Sequence, residues 1–157
     1  AIRQEAAAAA KAVPLVKLLE VPVTQAAAQV DVDVSQIDFT QYAEVWIVPI
    51  LSTPYNYIYL RCNNIATDSY FHSGTSQNYL CRLDGNGRLG QCKGKIRLAA
   101  YLSPIACICE NISNMPTQPS YSTAPTIEPK DLQTLNFVAD GGTINGEGKI
   151  VLWGWKL

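Results

Sequence analysis

Apolar and polar residues alternate along most of this chain with a period of two, the spacing of half-buried strands. In residues 30–34, VDVDV, the valines take one side and Asp31 and Asp33 the other. Residues 57–62, YIYLRC, repeat the pattern: Ile58, Leu60 and Cys62 share one face, Tyr59 and Arg61 the opposite one. Residues 16–23 (VKLLEVPV) are apolar and β-rich, residues 43–50 (AEVWIVPI) read as a further strong strand, and Pro49 places the end or edge of a strand there. Further strands are predicted around 69–72 and 78–83, and over 94–102, 105–111, 132–139 and 149–155. In the last of these Val151, Trp153 and Trp155 share one face, while Ile150 and Leu152 share the other. Both faces are apolar, which predicts either burial on both sides, with Trp153 or Trp155 near the core or a subunit contact, or a core strand with one partly exposed tryptophan.

Turn chemistry separates these segments. Residues 84–90 (DGNGRLG) and 140–148 (DGGTINGEG) are dense in Asp, Asn and Gly, which tolerate positive φ. Residues 111–129 are rich in proline and serine and are expected to form a long surface loop. Short strands with frequent turns, and no helix between them, predict an all-β protein, an antiparallel β-sandwich or barrel. The exception is residues 1–13, whose alanine run favours a helix ended by Pro14. Residues 1–14 therefore read as the end of a helical stalk or as a linker, and 15–157 as one domain. The chain begins without Met, as a fragment or processed piece would.

Charge changes little in this picture. Twelve basic residues stand against 13 acidic ones in a chain of 157, with no basic run, so nucleic acid is not an expected partner. The longest apolar stretch, residues 98–109, is too short for a membrane-spanning helix and contains Pro104, so no membrane insertion is expected. Five cysteines leave at least one unpaired within the chain, which suits assembly in a reducing compartment. Cys107 and Cys109 lie two apart on a strand and share a face. A C-x-C pair with no second close pair points to small buried hydrophobes rather than to zinc. No metal or cofactor is expected.

Nor does a catalytic set assemble. His72 is the only histidine, no G-x-S-x-G elbow occurs, and no cysteine is marked as a partner for His72. The DGNG at 84–87 opens like a calcium loop, but Leu89 stands where glycine is needed and Lys95 where a bidentate glutamate is needed. The segment IYLRCNNIATDSYFHSG and the tyrosines around it differ in kind. Aromatic rings beside Asn, Asp and Arg are the side chains that bind sugars: the ring takes the apolar pyranose face and planar polar groups take its hydroxyls. Asn63, Asn64, Asp68, Tyr70 and His72 are the candidate ligand-binding residues on this chemistry. The alternative is that the tyrosines divide between core and solvent, as sheet tyrosines do.

Over residues 30 to 157 the order of features resembles the C-terminal domain of tailed-phage tail fibres and related phage structural proteins. The matching stretches are Asp38-Phe39-Thr40-Gln41-Tyr42 leading into a long strand, Leu60-Arg61-Cys62-Asn63-Asn64, and the turn and strand from Gly141 to Gly154. Cys62 stands where that pattern usually has an aromatic. The resemblance implies a jelly-roll-like β-sandwich, a homotrimer at the end of a fibre in the virion, assembled in the bacterial cytoplasm. It also implies other virion proteins and a bacterial surface glycan or protein as partners. A capsid decoration or head-fibre protein and a monomeric carbohydrate-binding module are the alternatives.

Overall fold

The structure, a computed structural model, describes residues 14–54, 57–84, 91–111 and 120–157. The helix expected over 1–13, most of the turn expected at 84–90 and part of the loop expected at 111–129 lie outside the described residues.

The described residues are all-β. In chain order the strands are β1 (Leu15–Pro22), β2 (Gln29–Asp33), β3 (Tyr42–Ser52), β4 (Tyr57–Cys62), β5 (Tyr70–His72) and β6 (Thr75–Gln77). They continue with β7 (Cys81–Asp84), β8 (Gln91–Ala99), β9 (Ile105–Asn111), β10 (Ser120–Ala124), β11 (Thr134–Ala139) and β12 (Lys149–Lys156). Two antiparallel sheets result, an eight-stranded one ordered β1-β12-β3-β8-β9-β10-β5-β6 and a four-stranded one ordered β2-β11-β4-β7. They pack face to face in a β-sandwich-like arrangement.

Period-two alternation sets the core. Ile58, Leu60 and Cys62 on β4 point inward and are fully buried, opposite Leu135 and Phe137 on β11. From the large sheet Val45 and Ile47, Ile96 and Leu98, and Ile150 and Leu152 fill the other half. Val32 and Val34 are buried while Asp31 and Asp33 stay exposed, as the alternation requires. All five cysteines are buried and unpaired, each lodged among these apolar side chains.

One expectation needs correction. Within the stretch expected to be one long loop, residues Ser120–Ala124 form β10, an interior strand between β9 and β5. Its inward positions are the small Ser122 and Ala124, both buried, and the Ser122 hydroxyl donates to the Leu80 carbonyl. Residues that read as turn formers thus make a strand once both neighbours pair with it and the buried hydroxyl finds an acceptor. Further on, Pro129–Asp131 form a turn of 3-10 helix. The last strand follows the second of its two readings, a core strand with one partly exposed tryptophan. Ile150 and Leu152 are fully buried and Val151 nearly so, but on the outward face Trp153 is half-buried and Trp155 is 44% exposed.

Candidate functional site

The five residues singled out in the sequence do not converge on one surface. Asn63 and Asn64 are the central pair of a turn closed by the Ile65 N–H donating to the Cys62 carbonyl (3.0 Å). Both have positive φ, 51° and 58°, the left-handed pair of a type I′ turn that asparagine tolerates. Their side chains are committed to the fold. Asn63 Oδ1 accepts from the backbone N–H groups of Gln133 (2.7 Å) and Thr134 (3.1 Å), and its Nδ2 donates to the Asp131 carbonyl. Asn64 Oδ1 accepts from Gln29 Nε2 (2.7 Å), and its N–H donates to Oδ1 of the fully buried Asn136. Asp68 is exposed on the loop that follows.

Tyr70 is fully buried and presents nothing to a ligand, so as a contact residue it is withdrawn. Its hydroxyl accepts from the Cys62 N–H (2.9 Å) and donates to the Ile65 carbonyl (3.0 Å), tying the loop back to β4. Burial raises its pKa, although the Cys62 N–H bond favours the phenolate. The residue is a brace. Tyr70→Phe should leave both buried backbone groups unsatisfied and lower stability by about 1–3 kcal/mol in a urea melt. A loss below ~0.5 kcal/mol would show that the loop holds without it.

His72 is the member that reaches a plausible site. On β4 the residues that do not face the core, Tyr57, Tyr59 and Arg61, lie on the outer face of the small sheet, each half-buried. β7 runs alongside with Tyr57 opposite Asp84 and Tyr59 opposite Arg82. The Arg82 guanidinium sits 4.2 Å from the Tyr57 ring centre and forms a 2.9 Å ion pair with Asp84. Arg61 Nε donates to the Asn78 carbonyl (2.9 Å), and the Leu80 N–H donates to the Leu60 carbonyl (2.7 Å). These two bonds pin the segment entering β7, so Tyr79 stacks on Tyr59 with ring centres 4.6 Å apart and planes 17° from parallel. The His72 ring packs edge-on to Tyr79 at 5.1 Å, and its Nε2 lies 2.8 Å from the Tyr79 carbonyl. Asp140, just beyond β11, adjoins Tyr59. Burial first, then the Asp140 charge and hydrogen bond, push the Tyr59 phenol above its ordinary pKa.

The outcome is a band of three tyrosines and one histidine with two guanidiniums and two carboxylates, held by β4, β7, the chain between β6 and β7, the end of β5 and the residue after β11. Each group is half-buried or exposed, and the backbone bonds fix the rings before any ligand arrives. Such a band can stack on an apolar ligand face and pair with hydroxyls; it contains no nucleophile placed against a base. Sequence reading found the tyrosines as a composition, but not that Tyr59 and Tyr79 touch.

Elsewhere, a shallow cavity of about 260 Å³ lies between Ile50, Ser52, Lys93, Glu147 and Gly148. There the Ser52 hydroxyl donates to Glu147 (2.7 Å) and accepts from Asn145 Nδ2 (2.9 Å), bonds that hold the turn before β12 against the end of β3. Among the described residues no group of three or more His, Cys, Asp or Glu side chains is placed to hold a metal ion, and no helix is long and apolar enough to cross a membrane. Comparison with protein-family models, with curated proteins and with solved structures gives no match.

Proposed function

We propose that this chain is a non-catalytic binding module that takes bacterial surface carbohydrate on the tyrosine band of its small sheet. The observation that carries the reading is the stacked Tyr59–Tyr79 pair with His72 beside it and Arg61, Arg82 and Asp140 around it. Aromatic rings and planar charged groups on one rigid face match the two chemistries of a sugar, apolar ring face and hydroxyl pairs. Pre-fixed side chains also lose little entropy on binding.

The wider assignment rests on the sequence resemblance: a jelly-roll-like tail-fibre tip, trimeric, carried on the virion and bound to other virion proteins. A capsid decoration or head-fibre protein would use the same sandwich for assembly alone. The two part on a simple assay, binding of the purified chain to whole bacterial cells and to immobilised cell-surface polysaccharide. Tyr79→Ala should weaken that binding by roughly tenfold or more, since one stacked ring contributes about 1–2 kcal/mol. Wild-type protein that binds neither cells nor polysaccharide, or a Tyr79→Ala variant that binds equally well, would sink the carbohydrate reading. Shortening of the bound polysaccharide would make the module an enzyme.

A further inference from the structure

Between the two sheets lies a group of thiols that the tyrosine band does not use. Cys81 is on β7, the edge strand of the small sheet, and Cys107 and Cys109 are on β9 of the large sheet. All three point inward and are at most 2% exposed. Side-chain bonds fix where the two strands meet. Ser122, in register with Cys107, donates its hydroxyl to the Leu80 carbonyl at 2.5 Å. The Cys109 thiol donates to the Arg82 carbonyl at 3.8 Å. Asn111 Nδ2 donates to that same carbonyl, and Asn111 Oδ1 accepts from the Asp84 N–H, each at 3.2 Å. Cys81 stands between Leu80 and Arg82, so its inward side chain meets β9 beside Cys107 and Cys109. Contact with Cys107 first, then with Cys109, raises the Cys81 thiol above its ordinary pKa.

The backbone spacing suits a covalent link. Stacked sheets ordinarily lie about 10 Å apart, whereas a disulfide spans roughly 4.4–6.8 Å between Cα atoms. Here Cα atoms of β7 and β9 come within 8 Å of one another. Gly94 on β8 contributes to that approach, since a Cβ there would lie 3.2 Å from the Leu83 side chain of β7.

We propose that Cys81 and Cys107 form a redox modification site, joined as a disulfide between the sheets when the chain meets a small-molecule disulfide such as oxidised glutathione. Of the two thiols on β9, that of Cys109 is engaged with the Arg82 carbonyl, whereas that of Cys107 has no carbonyl partner among the described residues. The reaction is thiol–disulfide exchange in two steps. The Cys81 thiolate attacks one sulfur of the small disulfide, forms a mixed disulfide and expels one small thiolate. The Cys107 thiolate then attacks the Cys81 sulfur, forms the protein disulfide and expels the second. Two protein thiols are oxidised, one small disulfide is reduced to two thiols, and the two protein protons end on the expelled thiolates.

Buried thiols react slowly, so the exchange waits on opening of β7, which pairs within its sheet with β4 alone. Once formed, the bridge ties that edge strand to the large sheet and closes the loop that contains β8. A chain that folds with free thiols in a reducing compartment is thereby locked after it reaches an oxidising one. The site is separate from the tyrosine band and does not depend on the carbohydrate reading.

The test uses the full chain of 157 residues, equilibrated with glutathione buffers of rising oxidised fraction and then alkylated in urea. Non-reducing mass spectrometry should show the loss of two hydrogens, alkylation of all but two of the five thiols, and no retained glutathione. The bridged chain should melt at higher urea than the reduced one, and dithiothreitol should reverse that shift. Cys107→Ala should abolish the bridge, whereas Cys109→Ala, the same truncation on the same strand, should leave it in place. Should Cys107→Ala not fold, fragmentation of the bridged wild-type peptides identifies the two partners directly. A bridge that forms at Cys62 or Cys109 instead, or that survives Cys107→Ala, overturns the proposal. So do five thiols that stay free, or carry only glutathione, at every buffer ratio.

Discussion

Between pH 8 and pH 10 the protein should lose several kcal/mol of its stability, a loss caused by thiols that cannot ionise in place. Cys62, Cys81 and Cys92 are all fully buried. Burial pushes the Cys92 thiol up to about 12, with the nearby Asp84 charge adding to it. It likewise raises Cys62, with Cys107 contributing. Cys81 is raised first by its contacts with Cys107 and Cys109, then by burial. In the unfolded chain the same thiols ionise from about pH 8.5. Their pKa values are raised on folding, so their contribution is fully present below the unfolded pKa and is lost as pH climbs toward the folded one.

The size of the effect follows from the arithmetic of linkage. Each pH unit above the unfolded pKa costs about 1.4 kcal/mol per thiol, so three thiols at pH 10 forfeit on the order of 4–6 kcal/mol. That is a large part of the ~5–15 kcal/mol that holds an ordinary domain together. Urea melts from pH 7 to 10.5 would show a flat region and then a steep fall. Cys92→Ala, although destabilised at neutral pH by its small cavity, should show about a third less of that fall. A melt midpoint that stays level to pH 10, or a fall untouched by removing thiols, would mean that these sites open to solvent without global unfolding.

How far the sequence reveals this architecture depends on how local each signal is. VDVDV and YIYLRC encode their own inward and outward faces, because alternation needs no knowledge of a partner strand, and Val32, Ile58 and Leu60 lie in the core as read. β10 is not legible because its inward residues are serine and alanine, whose composition reads as loop. The asparagine pair carries a signal that two uses share. Two adjacent asparagines are turn chemistry before they are ligand chemistry, and the positive φ at both shows the turn winning. Tyr70 and Tyr79 are nine residues apart and equally polar-aromatic in context, yet one is a buried brace and the other lies in the candidate site. What separates them is whether the residue sits on β5 facing the core or on the segment that Arg61 pins beside Tyr59. That depends on the pairing of β4 with β7, a non-local contact that no single segment specifies.

Gly148→Ala should be among the most destabilising single substitutions on the surface, costing about 3 kcal/mol or more, although the residue itself is exposed. Gly148 has φ +93°, a conformation that costs an L-residue about 1–2 kcal/mol on its own account. A Cβ there would also run into the Ile50 carbonyl oxygen and come within 3.1 Å of the Ile50 carbonyl carbon. Neither is the end of a flexible side chain. Ile50 is fixed by pairing with Lys149 on one side and with Lys93 on the other, so relief requires the start of β12 to leave the end of β3. The Gly148 carbonyl also accepts from the Val23 N–H at 3.0 Å, a bond that the same displacement would stretch. Gly141 supplies the comparison. It too has positive φ, +77°, but an added Cβ there would meet nothing within 4 Å. Gly141→Ala therefore isolates the backbone strain and should cost only about 1–2 kcal/mol. The difference between the two variants in a thermal or urea melt measures how rigidly β12 is seated between β1 and β3. Equal losses would mean that the turn before β12 can shift at little cost, and that the close approach to Ile50 is not what requires glycine at 148.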